Sequence, residues 1–395
     1  MAMAPLTLIA NPGSASRKYA VYKGRHLLAN LHFEHIGDRV IGSIQHDDKH
    51  YEVPVAAGSL DAVTGQLMEL LQSEKLIQAN EMIVLVGLRI VAPSAFFLQD
   101  RIVDDEAEAQ LAAMEHRAPL HIAATRHELQ VLREQFPAAR IVGVSDSAFH
   151  ATKPDVAWLY GIPLHDADRF DIKRFGYHGI SVSSVIRTLR AAEKLPPKVV
   201  VCHLGSGASV TAVAHGKSID TTMGYSPLEG LIMATRTGTI DTTAVKVLQE
   251  SLGMDGDTMQ EYLNKQSGLL GISGRSSDIR ELLQLEADGD HYAGLALRTY
   301  VYAIQKAIGQ MVAVLGGMDV LVFTGTVGER SAVVRQRITR NLHYLDVLLD
   351  DHANNSCTAP ETLTPISKIA HSRPVLVIPT DETAEMVRSV AKIAL

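Results

Sequence analysis

Four short apolar runs along the chain end in the same way. Residues 6–9 run into Asn11-Pro12-Gly13-Ser14, and residues 199–202 into Gly205-Ser206-Gly207. Residues 320–323 run into Thr324-Gly325-Thr326-Val327-Gly328, and residues 375–378 into Pro379-Thr380-Asp381-Glu382. Short β-rich apolar runs bounded by Gly, Asn, Ser, Thr or acids predict buried strands feeding tight turns. Between them the apolar period changes to that of a helix, over residues 61–74 (Val63, Leu67, Leu70, Leu71), 293–315 and 382–394. The last of these carries acids in its first turn, as a helix N-terminus favours. Strands mixed with helices predict an α/β fold, whose ligands bind just beyond strand ends where turn backbone is open. Residues 153–172 contain Pro154, Pro163 and little periodicity, which makes them the candidate crossing between two domains. The shared strand-and-turn pattern hints at two similarly built halves, although no repeat is visible residue by residue.

A chain of 395 residues, 46% hydrophobic and 21% charged, is long enough for two such domains. Its first residues lack the basic start and apolar core of a secretory signal. The longest apolar stretch, residues 82–91, is broken by Gly87 and Arg89 and is too short to span a bilayer. Cys202 and Cys357 cannot make a disulfide framework or a zinc site, and such scarcity fits a reducing, cytoplasmic compartment. A net charge of −7 without a long basic run argues against nucleic acid and anionic membrane as partners. An anionic small molecule fits only where arginines gather locally.

Familiar motifs are absent or broken. No histidine follows His127-Glu128 at zincin spacing, and no Gly-x-Ser-x-Gly elbow occurs. Gly216-Lys217-Ser218 resembles the end of a P-loop, but Thr211 replaces its first glycine and the flanks predict a hairpin. Gly205-Ser206-Gly207 falls short of a dinucleotide fingerprint, because Val210 stands at the third glycine and the next residues read as a strand. Glycine turns such as residues 205–207 and 325–328 let backbone N–H groups approach phosphate oxygens, though most such turns are ordinary connections. Arg89 ends an apolar run, and Arg236 lies in the small polar loop Ala234-Thr235-Arg236-Thr237-Gly238-Thr239. Asp146 and His150 end the run 141–144, and His178 sits in Arg174-Phe175-Gly176-Tyr177-His178-Gly179. Arginine forks suit carboxylates and phosphates, yet a lone strand-end arginine is more often in a structural ion pair.

Taken together, these segments resemble the acetate kinase family, within the actin-like and sugar-kinase-like phosphotransferases. The resemblance runs from Asn11 to Glu382. It takes in Asn11-Pro12-Gly13-Ser14-Ala15-Ser16-Arg17-Lys18, Ala118-Pro119-Leu120-His121 and Asp146-Ser147-Ala148-Phe149-His150. It continues through His203-Leu204-Gly205-Ser206-Gly207, Met223-Gly224-Tyr225-Ser226-Pro227, Ser277-Asp278-Ile279-Arg280 and Pro379-Thr380-Asp381-Glu382.

That resemblance implies two actin-like (ribonuclease H-like) α/β domains with a nucleotide cleft between them. They would be residues 1–150, completed by the C-terminal helix 383–395, and residues 151–382. It implies a homodimer, and reversible transfer of the ATP γ-phosphoryl group to acetate, giving acetyl phosphate and ADP. The cofactor would be Mg²⁺, with Mn²⁺ as a substitute, held by Asn11 and Glu382. Lys18, His203, Leu204, Gly205, Ser206, Gly207, Asp278, Ile279, Arg280, Thr326, Val327, Gly328, Glu329 and Arg330 would line the nucleotide site. Arg89 and Arg236 would bind the carboxylate and the phosphoryl in flight. Asp146 would be the catalytic carboxylate and His178 a stabiliser of the transition state. Val91, Leu120, His121, Tyr177 and Pro227 would surround the small substrate.

Several positions depart from the family's usual pattern. Ser206 stands for Asn, Ala92-Pro93-Ser94 occupies the place where His-Gly-Gly is usual, and Tyr177 stands for Phe, which puts a hydroxyl near the methyl pocket. Thr326, Arg330 and Thr239 also differ. These changes leave open propionate or another short carboxylate as acceptor, and a degenerate nucleotide-binding regulator.

Overall fold

The computed structural model describes residues 5–13, 16–36, 39–47, 49–53, 55, 59–78, 80–115 and 119–394, with backbone alone at His35, Ile36, Asp61, Pro119, Leu120 and His121. The chain divides into two compact units, Met1–Ala148 with Asp381–Leu395, and Phe149–Thr380. Both are mixed α/β, each built on one sheet.

The first unit carries β1 (Leu6–Pro12), β2 (Ser16–Lys23), β3 (His26–Ile36), β4 (Arg39–His46), β5 (Lys49–Val53), β6 (Ile83–Ile90), β7 (Arg101–Ile102) and β8 (Arg140–Ser145), in the order β5-β4-β3-β2-β1-β6-β8-β7. β1 to β5 form an antiparallel meander, while β1, β6 and β8 run parallel. β1 is buried without a break over its first five residues, as expected of a strand covered on both faces. One face receives the helix Glu382–Ala394, whose Met386, Val387 and Val390 point inward. Gly87 lets it approach, since a β-carbon there would fall 2.7 Å from both Val390 and Ile9. Asp381 caps that helix, accepting from the Ala384 N–H at 3.0 Å, a contact worth about 1 kcal/mol.

The periodicity over 61–74 predicts one helix, but the structure breaks it. Helical turns at Leu60–Val63 and Leu67–Ser73 flank a 3₁₀ turn at Thr64–Gln66. The physical reason is tertiary. Buried Thr64 donates its hydroxyl to Glu128 at 2.9 Å and meets the Tyr19 hydroxyl at 2.7 Å, next to a helix-weakening Gly65.

The second unit carries β9 (Lys198–Leu204), β10 (Ala208–Ala214), β11 (Lys217–Thr221), β12 (Val320–Thr324), β13 (Thr364–Pro365) and β14 (Val375–Val377), in the order β11-β10-β9-β12-β14-β13. β9 to β11 are an antiparallel meander, β9, β12 and β14 are parallel, and β13 is an antiparallel edge. The first unit repeats this connectivity, with β1 to β3, β6, β8 and the antiparallel edge β7, then adds β4 and β5. The two halves are therefore alike in topology. His215 and Gly216 form the two-residue turn between β10 and β11, both at positive φ, so the resemblance to a P-loop is a hairpin. Residues 153–172 lie inside this unit and include the short helix Leu164–Arg169. No helix among the described residues is long and apolar enough to cross a membrane.

Candidate active site

In the first unit, Asn11, Arg89 and Asp146 gather at the C-terminal ends of three adjacent parallel strands. Ala10 pairs with Leu88 and Arg89 with Val144, while the Asp146 N–H donates to the Ile90 carbonyl at 2.9 Å. Glu382 joins them from the first turn of the C-terminal helix. Arg89 donates to Asp146 at 3.0 Å, to Glu382 at 3.2 Å and to Asn11 Oδ1 at 3.2 Å. Asn11 Nδ2 donates in turn to Glu382 at 3.3 Å. Burial opposes the charge on Arg89, but Asp146 and Glu382 outweigh it and hold its pKa above the ordinary value. Arg89 thus lies between two carboxylates, and the Asn11 atom that accepts from it is also an oxygen. Among the described residues no three His, Cys, Asp or Glu side chains converge as a metal cage. The oxygens of Asn11, Asp146 and Glu382 are of the kind that hard divalent cations take.

Val91 is half-buried and leads into the buried Ala92-Pro93-Ser94 turn, where Ser94 caps a 3₁₀ turn by accepting from the Phe96 N–H at 3.1 Å. Lys18 is exposed on β2, opposite Asn11. Ser14, Ala15 and Ala118 lie outside the described residues, as do the side chains of Leu120 and His121.

In the second unit, His178 immediately precedes the helix Gly179–Ala191 and adopts φ 62°, a left-handed conformation costly for a side-chain-bearing residue. Its Nδ1 meets the Ser209 hydroxyl at 3.0 Å. Its Nε2 points at Gly207, lying 3.0 Å from where a β-carbon on that residue would be, and Arg236 Nη1 lies 3.6 Å from the same point. Arg236 also contacts the Pro227 carbonyl at 3.4 Å and Met233 sulfur at 3.8 Å. The ring of His203 stacks on His178 with centroids 4.1 Å apart, and its Nδ1 meets Ser181 Oγ at 2.7 Å. Thr380 donates to that same Ser181 oxygen at 2.9 Å.

Tyr177 is buried, and its hydroxyl donates to the Tyr225 carbonyl at 2.6 Å. The hydroxyl expected near the methyl pocket is thus spent on backbone. Buried His150 braces the same segment. Its Nδ1 meets Ser218 at 2.8 Å and its Nε2 meets the Tyr177 carbonyl at 2.9 Å.

Two glycine segments meet in this unit. Gly205 N–H donates to the Gly207 carbonyl at 2.8 Å, with Ser206 exposed at the tip and its carbonyl held by the Ala234 N–H at 3.2 Å. Gly325 has φ +77°, and a β-carbon there would lie 2.7 Å from the Leu204 carbonyl oxygen, so glycine is required. From Gly325 the chain enters a helix, Gly325–Arg330, rather than the open turn the sequence predicts. Its Glu329 folds back to accept from Gly325 N–H at 2.9 Å and Thr380 N–H at 3.1 Å. Burial raises the Glu329 pKa, and these bonds partly offset the rise. The carboxylate of Glu329 is thus committed inside the protein, while Thr326, Val327 and Arg330 lie on the same short helix. Asp278, Ile279 and Arg280 open a separate helix. Asp278 accepts from the Arg280 N–H at 2.7 Å and its guanidinium at 2.6 Å, and Ile279 is buried. The supports Ser181, Ser209 and Thr380 carry no signal in sequence beyond their nearness to glycines or histidines.

A model of the acetokinase family matches residues 6–388. An acetate kinase of Thermoanaerobacter pseudethanolicus is 37% identical over 407 aligned residues, covering 98% of this chain and 98% of that protein. An acetate kinase of Pseudothermotoga lettingae is 36% identical, covering 98% and 96% respectively. Among solved structures, a propionate kinase from Francisella tularensis superposes with a TM-score of 0.89 at 31% identity, covering 98% of this chain and 100% of the other. The acetate kinase of Porphyromonas gingivalis gives 0.86 at 30% identity, covering 99% and 100%.

Proposed function

The chain belongs to the acetokinase family of carboxylate phosphotransferases, and from that premise we propose that it transfers the γ-phosphoryl group of ATP reversibly to acetate, giving acetyl phosphate and ADP. The observation that carries this reading is the convergence of His178 Nε2 and Arg236 Nη1 on Gly207, 3.0 and 3.6 Å from one point. Two donors aimed at one place suit the equatorial oxygens of a phosphoryl group in flight, where charge spreads in the transition state. A carboxylate oxygen is already an anionic nucleophile, so the reaction requires no strong base. The task left to the protein is to bring anions together and keep water out.

In this reading Arg89 and Arg236 bind the carboxylate and the phosphoryl group. Asp146 orients Arg89 rather than removing a proton, which fits its 3.0 Å contact. Val91, Leu120, His121, Tyr177 and Pro227 enclose the methyl group. Residues 203–207, Lys18, 278–280 and 326–330 line the nucleotide site. Asn11 and Glu382, with Asp146 beside them, are the oxygens that would hold Mg²⁺, which when bound neutralises phosphate charge. Mn²⁺, which also takes oxygen ligands, would substitute.

We also propose a cytoplasmic homodimer. The helix Thr242–Leu252 buries none of its residues, and Val247 and Leu252 on it are exposed together with Val156, Tyr292 and Tyr302 elsewhere in the same unit. Sedimentation of the purified protein tests the dimer.

The likeness to a propionate kinase motivates a second acceptor. The Tyr177 hydroxyl donates to the Tyr225 carbonyl. Specificity constants for acetate, propionate and butyrate, from coupled ADP release, decide the acceptor. Acetate highest supports the proposal, and propionate highest replaces acetate.

A further inference from the structure

Arg335 is fully buried, and no carboxylate is among its hydrogen-bond partners. A guanidinium has five N–H donors, and all five are used. Nε donates to Asn354 Oδ1 at 2.9 Å, and Nη1 to the carbonyls of Gly328 and Glu329 at 2.9 and 3.1 Å. Nη2 donates to the carbonyls of Asn354 and Cys357 at 2.8 and 2.7 Å. Those carbonyls lie at or just past the C-terminal ends of two short helices, Gly325–Arg330 and Asp351–Ser356, where carbonyls are short of intrahelical partners and carry partial negative charge. Asn354 is itself fixed, donating to the Ala332 carbonyl at 3.0 Å.

We propose that Arg335 is a positioning residue for the nucleotide, acting through the helix Gly325–Arg330. The inference rests on the reading that residues 326–330 line the nucleotide site. A helix of six residues cannot hold its own place. Glu329 clamps its beginning through the Gly325 N–H, and Arg335 clamps its end. Between the clamps Gly328 is buried, and a β-carbon on it would lie 3.7 Å from Cβ of Leu204, one residue before the glycine turn 205–207. Joining two helix ends needs no charge, since apolar packing does it without desolvating a guanidinium. A five-donor fork adds fixed placement of each carbonyl, and with it of Thr326, Val327 and Arg330 against Leu204.

The test is steady-state kinetics of Arg335→Lys and Arg335→Ala, with KM measured separately for ATP and acetate. We expect KM for ATP to rise about tenfold or more while KM for acetate stays within about twofold. Millimolar guanidinium should restore part of the ATP affinity of Arg335→Ala by refilling the cavity, and should not do so in the wild type. A folded variant that keeps the wild-type KM for ATP, or loses activity with both KM values unchanged, overturns the proposal. If neither variant folds, Asn354→Ala decides by the same comparison, because it removes one acceptor and leaves the guanidinium. Wild-type turnover separates the two ideas. A wild type that ignores ATP fails the nucleotide reading and this proposal together, whereas ATP use with unmoved KM in the variants fails this proposal alone.

Discussion

Nε2 of His178 lies 3.0 Å from the place a β-carbon on Gly207 would take. Gly207 is not among the glycines at positive φ, so its backbone accepts alanine. Gly207→Ala should therefore fold normally while crowding His178 and Arg236. We predict a fall in kcat of about 10²-fold, the size of one lost transition-state donor, with little change in melting temperature. Kinetics beside a thermal melt check it, and an active Gly207→Ala enzyme would remove His178 from the transition state.

Arg236 and Arg89 should both be needed for turnover. Arg89 lies between two carboxylates, Asp146 at 3.0 Å and Glu382 at 3.2 Å, and Asp146 is buried. Arg236→Ala is predicted to lose about 10²–10³-fold in kcat. Arg89→Ala should lose activity and also about 3–5 kcal/mol of stability, because it breaks a buried ion pair by removing one partner. Steady-state kinetics check the first and denaturant unfolding the second, and an Arg89→Ala protein as stable as the wild type would contradict the assignment.

Tyr177→Phe tests the methyl pocket. It removes the donor to the Tyr225 carbonyl, so about 1 kcal/mol of stability should go. The ratio of acetate to propionate specificity should move by less than about twofold, since the hydroxyl is spent on backbone. A large shift in that ratio would mean that the hydroxyl reaches the substrate.

Much of this arrangement was legible in the sequence because the strands are apolar runs and the site residues interrupt or end them. Arg89 at the end of an apolar run, Asp146 after another and the glycines after 199–202 and 320–323 are conspicuous on that background. The hidden features depend on partners far apart in the chain. Arg17 and Glu128 form a buried pair at 3.6 Å, with Tyr19 and Thr64 also bound to Glu128, and nothing local to either residue marks it. Nothing beside Arg335 in the sequence marks it until its carbonyl partners are seen. The break at Thr64 and the helix after Gly325 arise from the same kind of long-range contact, which periodicity does not contain.

Lys153 gives a prediction in pH. It is buried, donates to the Arg174 carbonyl and lies 4.4 Å from the Trp158 ring centre. Burial lowers its pKa from 10.5 to about 8, partly offset by Asp220. Below about pH 8 the lysine is charged in both states, and folding carries the full cost of burying that charge. Between about 8 and 10.5 the unfolded chain holds a proton the folded one has released, so this group makes stability rise with pH. Lys153→Met lacks that dependence. Its stability relative to wild type should therefore decline from pH 7 to pH 10, by roughly 3 kcal/mol at most. Urea unfolding across that range measures it, and a constant difference would contradict the lowered pKa.

If a carboxylate oxygen takes the phosphoryl group from ATP, the acyl phosphate it becomes can be trapped. Purified protein is incubated with Mg²⁺, ATP and acetate, and hydroxylamine converts any acyl phosphate to a hydroxamate, which added iron(III) colours. We predict acetohydroxamate formed in step with ADP, saturating with acetate and nearly abolished in Arg236→Ala. ADP formed without hydroxamate, or no turnover with any short carboxylate, would contradict carboxylate phosphorylation by this chain.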